Sequence, residues 1–115
     1  MKLLRVTIIG LILLGQSCSP QDENFVAVLD LPEKFDGQGI VVSGIFHSRF
    51  EDFAIYLDSY SETNEALWVD LKGSYDQLEG LDGQRVTLRG KFISADKGHL
   101  GQYVGTISHA EVVQE

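Results

Sequence analysis

The chain has 115 residues, which is enough for one small domain and too few for two. Nine Lys and Arg residues stand against seventeen Asp and Glu, for a formal net charge of −8. That sign repels phosphate backbones and argues against a nucleic-acid partner. A single cysteine cannot form an internal disulfide, so the folded part must depend on its hydrophobic core.

The N-terminal segment has the layout of a secretory signal. Lys2 and Arg5 form a short basic region, residues 6–14 (VTIIGLILL) are an apolar run, and small residues precede Cys18. The run is too short to cross a bilayer comfortably as a mature helix. We therefore predict a signal peptide over residues 1–17. Its removal leaves seven basic and seventeen acidic residues, a net charge of −10.

The stretch LLGQSC resembles a bacterial lipobox, in which the small Ser17 directly precedes the lipidated cysteine, here Cys18. Ser19 follows in place of an aspartate, which indicates sorting to the outer membrane in a cell with two membranes. We expect residues 18–34 to be a tether between the lipid and a domain over residues 35–115. The alternatives are an uncleaved anchor, or an ordinary cleaved signal that releases a soluble periplasmic or secreted protein.

Two stretches of the chain are nearly identical. Residues 36–46 read DGQGIVVSGIF and residues 82–92 read DGQRVTLRGKF. Alternation predicts that each is a strand with equivalent apolar residues on its inward face: Ile40, Val42 and Phe46 in the first, Val86, Leu88 and Phe92 in the second. Gly44 and Gly90 lie on the same faces, so we expect a bend at each, as at the corners of a small barrel. Duplication of a whole unit is the rival interpretation.

The remaining elements follow from apolar alternation and turn residues. They are strands over residues 53–57 and 67–71, a short helix over residues 75–81 capped by Ser74, and a last strand over residues 103–113. Placing Tyr56 opposite Trp68 puts both aromatic residues on one face of the second and third strands. The acidic connection over residues 58–66 is expected to be mobile. This order predicts an all-β protein, a five-stranded OB-fold-like Greek-key barrel with a helix between strands three and four.

Over about residues 35–113, the chain resembles a group of small exported bacterial proteins, often lipoproteins. The similarity rests on VVSGIFH, the stretch at residues 51–56, LWVDL, DGQRVTLRGKF, and KGHLG followed by GTI. The resemblance implies an OB-like barrel and export to the cell envelope. It implies no biochemical activity, because a fold does not determine a function.

In such a barrel, the loop after strand one and the loop between strands four and five lie near each other, beside strands two and three. The candidate ligand or partner surface therefore comprises His47, Arg49, Glu51, Tyr56, Trp68 and His99. Simpler roles remain open for each residue. The histidines would then make local hydrogen bonds, Arg49 and Glu51 would form a surface ion pair, and the aromatic residues would cover the barrel wall.

A metal site from His47, Glu51 and His99 is a weaker hypothesis, since imidazole and carboxylate suit zinc but the spacing matches no zinc motif. The sequence contains no nucleophile elbow, glycine-rich phosphate loop or cysteine pair. We therefore expect no enzymatic activity and no cofactor. The leading hypothesis is an envelope lipoprotein that binds a protein, peptide or glycan partner. The alternative is a metal- or small-ligand-binding domain with possible hydrolytic chemistry at the His/Glu cluster.

Overall fold

The structure is a computed structural model that describes residues 20–73 and 75–113. Its helices are α1 (Pro20–Asp30) and α2 (Pro32–Phe35), with 3-10 helices at Thr63–Glu65, Tyr75–Leu78 and His99–Gly101. Its strands are β1 (Gly39–Arg49), β2 (Asp52–Tyr56), β3 (Ala66–Leu71), β4 (Arg85–Ile93) and β5 (Gly105–Val112). The predicted signal peptide, Cys18 and the predicted cap Ser74 lie outside the described residues.

The strands form a closed barrel in the order β1-β2-β3-β5-β4, which confirms the prediction of five strands closed on themselves. The pairs are antiparallel except for β3 and β5, which are parallel. Strand β1 is long enough to pair with two neighbours, and it changes partner at Ile45, which lies opposite both Arg85 in β4 and Tyr56 in β2. The described residues contain no helix long and apolar enough to cross a membrane.

The repeated sequence has a structural explanation, because the two copies pair with each other. Val42 and Leu88 occupy equivalent positions in the two copies, and they are direct partners across the β1–β4 ladder. This pairing creates a local two-fold relationship between the copies. The turn of each copy therefore meets the strand end of the other.

The hydrogen bonds at the two ends of the ladder are matched. They are Gly37 N to Phe92 O and Gly83 N to Phe46 O, each 2.7 Å; Phe92 N to Gln38 O and Phe46 N to Gln84 O, each 2.9 Å; and Ser94 N to Asp36 Oδ1 and Ser48 N to Asp82 Oδ1, each 2.8 Å. We call these two sets of bonds the reciprocal clasps. They require the same turn and the same strand ending at both sites, which accounts for the repeat.

The inward glycines of the repeat allow neighbouring backbone to approach. A Cβ on Gly44 would meet the carbonyl oxygen of Tyr56, and it would lie 2.9 Å from Cε2 of Phe25. A Cβ on Gly90 would lie 2.7 Å from the carbonyl oxygen of Ser108, where the β4–β5 register shifts. His109 lies at this irregularity with a φ of 55°.

Helix α1 corrects the predicted tether over residues 18–34. Residues 20–30 of that stretch are helical, and α1 packs on β1 with Phe25 and Val28 fully buried. Phe25, Val28 and Leu29 have the spacing of one helical face, so burying that face outweighs the polar character of the residues before it. The folded unit therefore begins well before residue 35.

Two further details differ from the sequence prediction. The expected helix over residues 75–81 is a 3-10 turn, Tyr75–Leu78, anchored by the buried Leu78. Trp68 lies opposite Ala54 instead of Tyr56, a two-residue shift that keeps every side chain on its expected face. The acidic connection over residues 58–66 contains a hydrogen-bonded turn, in which the Asp58 carboxylate accepts from Tyr60 N at 2.8 Å.

We predict that Gly44→Ala lowers the free energy of unfolding by about 1–3 kcal/mol, because the new methyl group would strike strand β2 and helix α1. Gly39→Ala is the matched control, since it lies in the same strand with open space around its Cα. Chemical denaturation monitored by Trp68 fluorescence measures both. Equal midpoints for the two variants would show that close approach at Gly44 is unimportant.

Candidate functional site

The Asp52 carboxylate connects three segments of the chain. Its Oδ1 accepts hydrogen bonds from the hydroxyl groups of Tyr56, at 2.7 Å, and Tyr103, at 2.9 Å. Its Oδ2 lies 2.8 Å from Nδ1 of His47. Asp52 and Tyr56 belong to β2, His47 to β1, and Tyr103 to the loop between β4 and β5. One carboxylate therefore joins the β1–β2 hairpin to the β4–β5 loop.

The electrostatics of this network favour an ionised Asp52 that accepts hydrogen bonds from two neutral tyrosine hydroxyl groups. Burial raises the pKa of Asp52, but the hydrogen bonds from Tyr56, His47 and Tyr103 outweigh it and hold the pKa below its usual value. Burial and the Asp52 carboxylate raise the pKa of Tyr103 to about 12, and they raise that of Tyr56 further. An ionised carboxylate can only accept, so Nδ1 of His47 carries the proton in this bond.

The outer face of β2 and β3 is packed beneath the β4–β5 loop. Tyr56 and Tyr103 are 5% and 4% exposed, and they cluster with Ala54 and Ala66 against the half-buried Trp68. The Trp68 and Tyr103 rings are 5.3 Å apart at 60°.

Gly98 allows the β4–β5 loop to lie against the side chain of Trp68. Its φ is 70°, and a Cβ there would lie 2.7 Å from Cβ of Trp68. Two histidines complete the aromatic layer. The His47 ring stacks on Tyr56 at 4.0 Å, and the His99 ring is parallel to Trp68 within 25° at 6.4 Å. The face expected to offer Tyr56 and Trp68 to a partner is thus largely covered by the protein itself.

The two loops that were expected to converge do meet. Nε2 of His99 lies 3.7 Å from Oε1 of Glu51, and the Tyr103 hydroxyl lies 3.5 Å from the carbonyl oxygen of Glu51. The other candidate residues have different partners from those expected. His47 pairs with Asp52 and is not joined to Glu51 and His99. Arg49 pairs with Asp82, at 3.1 Å, and not with Glu51.

The metal hypothesis required His47, Glu51 and His99 to share one centre. They form parts of two separate pairs. Throughout residues 20–73 and 75–113, no three His, Cys, Asp or Glu side chains are grouped so as to hold a metal ion.

The convergence of the loops places two large apolar side chains in solvent. Phe50, at the tip of the β1–β2 hairpin, is 91% exposed, and Leu100, in the β4–β5 loop, is 78% exposed. Each is the chain neighbour of one member of the Glu51–His99 pair. We call Phe50, Glu51, His99 and Leu100 the rim. Glu51 and Leu100 have positive φ angles, 66° and 58°, which are uncommon for residues other than glycine.

Sequence reasoning identified half of the rim and missed the other half. Glu51 and His99 were selected for their chemistry, whereas Phe50 and Leu100 were not, because apolar residues are expected inside. A signal existed, since both are single apolar residues within predicted loops (SRFED and KGHLG). Asp52 and Tyr103 were missed as a bonded pair because fifty-one positions separate them.

No protein family model matches this chain, and no curated protein or solved structure shows significant similarity to it. The geometry of the site is therefore the basis for assigning a function.

We predict that Asp52→Asn lowers the free energy of unfolding at pH 7 by about 1–3 kcal/mol, through loss of charge-assisted hydrogen bonds. The folded-state pKa of Asp52 lies below its unfolded value. Its contribution is therefore present above about pH 4 and is lost as the pH falls through the folded-state pKa. Denaturation at a series of pH values should give a flatter acid limb for the variant.

The matched control for this experiment is Asp70→Asn, which removes a carboxylate from an exposed position of β3. It should keep both the stability at pH 7 and the acid limb of the wild type. If Asp52→Asn and Asp70→Asn have the same profile, the Asp52 network does not stabilise the fold.

Proposed function

We propose that this protein is a non-enzymatic lipoprotein of the bacterial envelope whose OB-type barrel binds a protein, peptide or glycan partner at the rim. The observation that carries the proposal is the exposure of Phe50 and Leu100 on two loops that contact each other. Single exposed apolar residues are common on soluble proteins, whereas two large ones at the tips of contacting loops indicate an interaction site.

The strand order supports the OB type. β1 pairs with both β2 and β4, β3 and β5 are parallel, and the barrel closes through the β4–β5 pair. A short 3-10 helix lies between β3 and β4, where an OB barrel has its helix. In this class of barrel, the loop between strands one and two and the loop between strands four and five flank the ligand-binding face. Both loops contribute to the rim.

The backbone at the rim supports a functional role for its shape. A left-handed conformation costs roughly 1–2 kcal/mol per residue outside glycine, and it occurs at Glu51 and at Leu100. Such conformations persist only where surrounding contacts hold them, and they are concentrated at functional positions. Here the Asp52 network and the Glu51–His99 pair provide the holding contacts.

The non-enzymatic part of the proposal follows from how the ionisable groups are used. Both oxygens of Asp52 accept hydrogen bonds from side chains of its own domain. His47 and His99 each face a carboxylate and an aromatic ring. These groups hold two loops together and thereby support the rim.

The position of α1 bears on attachment to the membrane. The helix begins at Pro20, two residues after Cys18, and it is fixed to the barrel through Phe25. A lipid on Cys18 would therefore hold the barrel close to the bilayer, without the long tether that the sequence suggested.

We predict that Cys18→Ser abolishes membrane attachment, leaving either a soluble protein or an unprocessed precursor. Cell fractionation followed by intact-mass measurement distinguishes these forms, because lipidation adds the mass of acyl chains and signal cleavage removes residues 1–17. A Cys18→Ser variant that is processed normally and stays in the membrane would contradict the lipoprotein assignment.

We also predict that the wild-type protein, extracted from its own cells in mild detergent, migrates on native electrophoresis as a larger species than the purified chain. Phe50→Ser should convert it to the size of the purified chain, because it removes an exposed apolar anchor. Tyr60→Ser is the matched control, since Tyr60 is 92% exposed but lies in the β2–β3 loop, away from the rim. A species of purified size for the wild type would contradict the proposed function.

A further inference from the structure

We infer that the partner of the rim is a folded, basic protein that receives Phe50 and Leu100 in an apolar cleft. This inference rests on the proposed function and makes it specific. It follows from three properties of the rim, namely its convex shape, its rigidity and its charge.

The first property is that the rim projects from the surface. At 91% and 78% exposure, Phe50 and Leu100 stand out from the domain and do not line a depression in it. A small ligand requires a concave site that surrounds it. A projecting pair of apolar side chains instead requires a partner that supplies the concave surface. This geometry favours a folded protein with a cleft over a free small molecule.

The second property is that the rim is held in place. Leu100 lies in a 3-10 turn whose backbone is bonded from Gly101 N to Gly98 O at 3.1 Å. Below Phe50, the chain is held by the bonds of Tyr103 to Asp52 and to the Glu51 carbonyl oxygen. Loops already fixed in their bound shape lose little conformational entropy on association. Phe50 and Leu100 therefore suit the role of preformed anchors.

The third property is that the exposed charge around the rim is acidic. Glu51 is 53% exposed. The two cations nearest in the chain are each balanced by a carboxylate. Arg49 pairs with Asp82 at 3.1 Å, and the exposed Lys97 directly follows the exposed Asp96. From residue 18 onward the chain has a net charge of −10. A basic partner would be drawn to this surface, and acidic ones repelled.

The same observations weigh against other occupants. The ring of Trp68 is not an open platform for a glycan, because Gly98, His99 and Tyr103 lie against it. A peptide cannot add to a sheet edge, because each of the five described strands has two neighbours in the closed barrel. A second copy of this chain, or an anionic membrane, would meet like charge.

The test uses the full-length chain in its own cells, with the photo-crosslinking residue p-benzoyl-phenylalanine in place of Phe50. Because Phe50 is in solvent, the replacement leaves the fold unchanged. We expect one predominant adduct with a protein of basic isoelectric point. Adding Leu100→Ser should suppress this adduct. The same crosslinker in place of Tyr60 is the matched control, and it should not yield the adduct.

The crosslinked protein, once identified and purified, is then titrated with the full-length chain. Phe50→Ser and Leu100→Ser should each weaken binding at least about tenfold, while Tyr60→Ser leaves it unchanged. Binding should also weaken as ionic strength rises, because charge attraction between the partners is screened. Circular dichroism of each variant confirms that the fold is retained.

The experiments test the inference about the partner separately from the proposed function. An adduct that is a lipid, a glycan or a second copy of this chain overturns the inference but leaves a partner at the rim. Binding that is independent of ionic strength overturns the basic character of the partner, and binding that survives both serine substitutions overturns the role of the apolar pair. No adduct from position 50, together with a native species of purified size, overturns the proposed function itself.

Discussion

The pairing of the two repeated strands is the constraint on which the rest of the structure depends. β1 and β4 are antiparallel partners with equivalent residues opposite each other at Val42 and Leu88, so the ladder ends in a reciprocal clasp on both sides. This arrangement fixes the register of the barrel at its centre. It leaves the second half of β1 free to turn away from β4 and pair with β2. A one-residue slip would reverse the inward face and break both clasps.

The pairing of β1 with β4 also determines where the site lies. The turn at residues 82–84 accepts hydrogen bonds from Phe46 N and Ser48 N, so the end of β1 has a defined direction. That direction determines the position of the β1–β2 hairpin tip. The Asp52 carboxylate then joins the hairpin to the β4–β5 loop through Tyr103. A charge that is partly removed from solvent is stabilised by its three donors. The cost of its burial is offset by contacts that also hold the two loops together.

The packing of the β4–β5 loop determines which part of this barrel a partner could meet. The outer face of β2 and β3 is covered by Tyr103, Gly98 and His99, so the aromatic residues there stabilise the loop and are not free for a ligand. The tip of this loop is exposed to solvent instead. We propose a protein partner, and not a base or a sugar, because the flat aromatic face of β2 and β3 is covered while two apolar side chains project into solvent.

The sequence by itself determined the elements that depend on local pattern. Alternation around Gly44 and Gly90 predicted β1 and β4 with the correct inward residues, and the order of the remaining segments predicted a five-stranded barrel. It also predicted that the loops carrying Glu51 and His99 would meet, because strand order alone brings them together. These features follow from the alternation of buried and exposed residues along a strand and from turn residues. Both patterns can be recognised within a few consecutive positions.

Only the tertiary structure decided the features that depend on distant atoms. The reciprocal clasps, the three bonds to Asp52 and the exposure of Phe50 and Leu100 each join or separate residues far apart in the chain. Helix α1 was missed because a polar start hid an apolar face whose partner is the folded β1, where the absence of a side chain at Gly44 lets Phe25 approach. Burial is a property of the assembled surfaces, so no local pattern can report which apolar side chain is left in solvent and which polar one is enclosed.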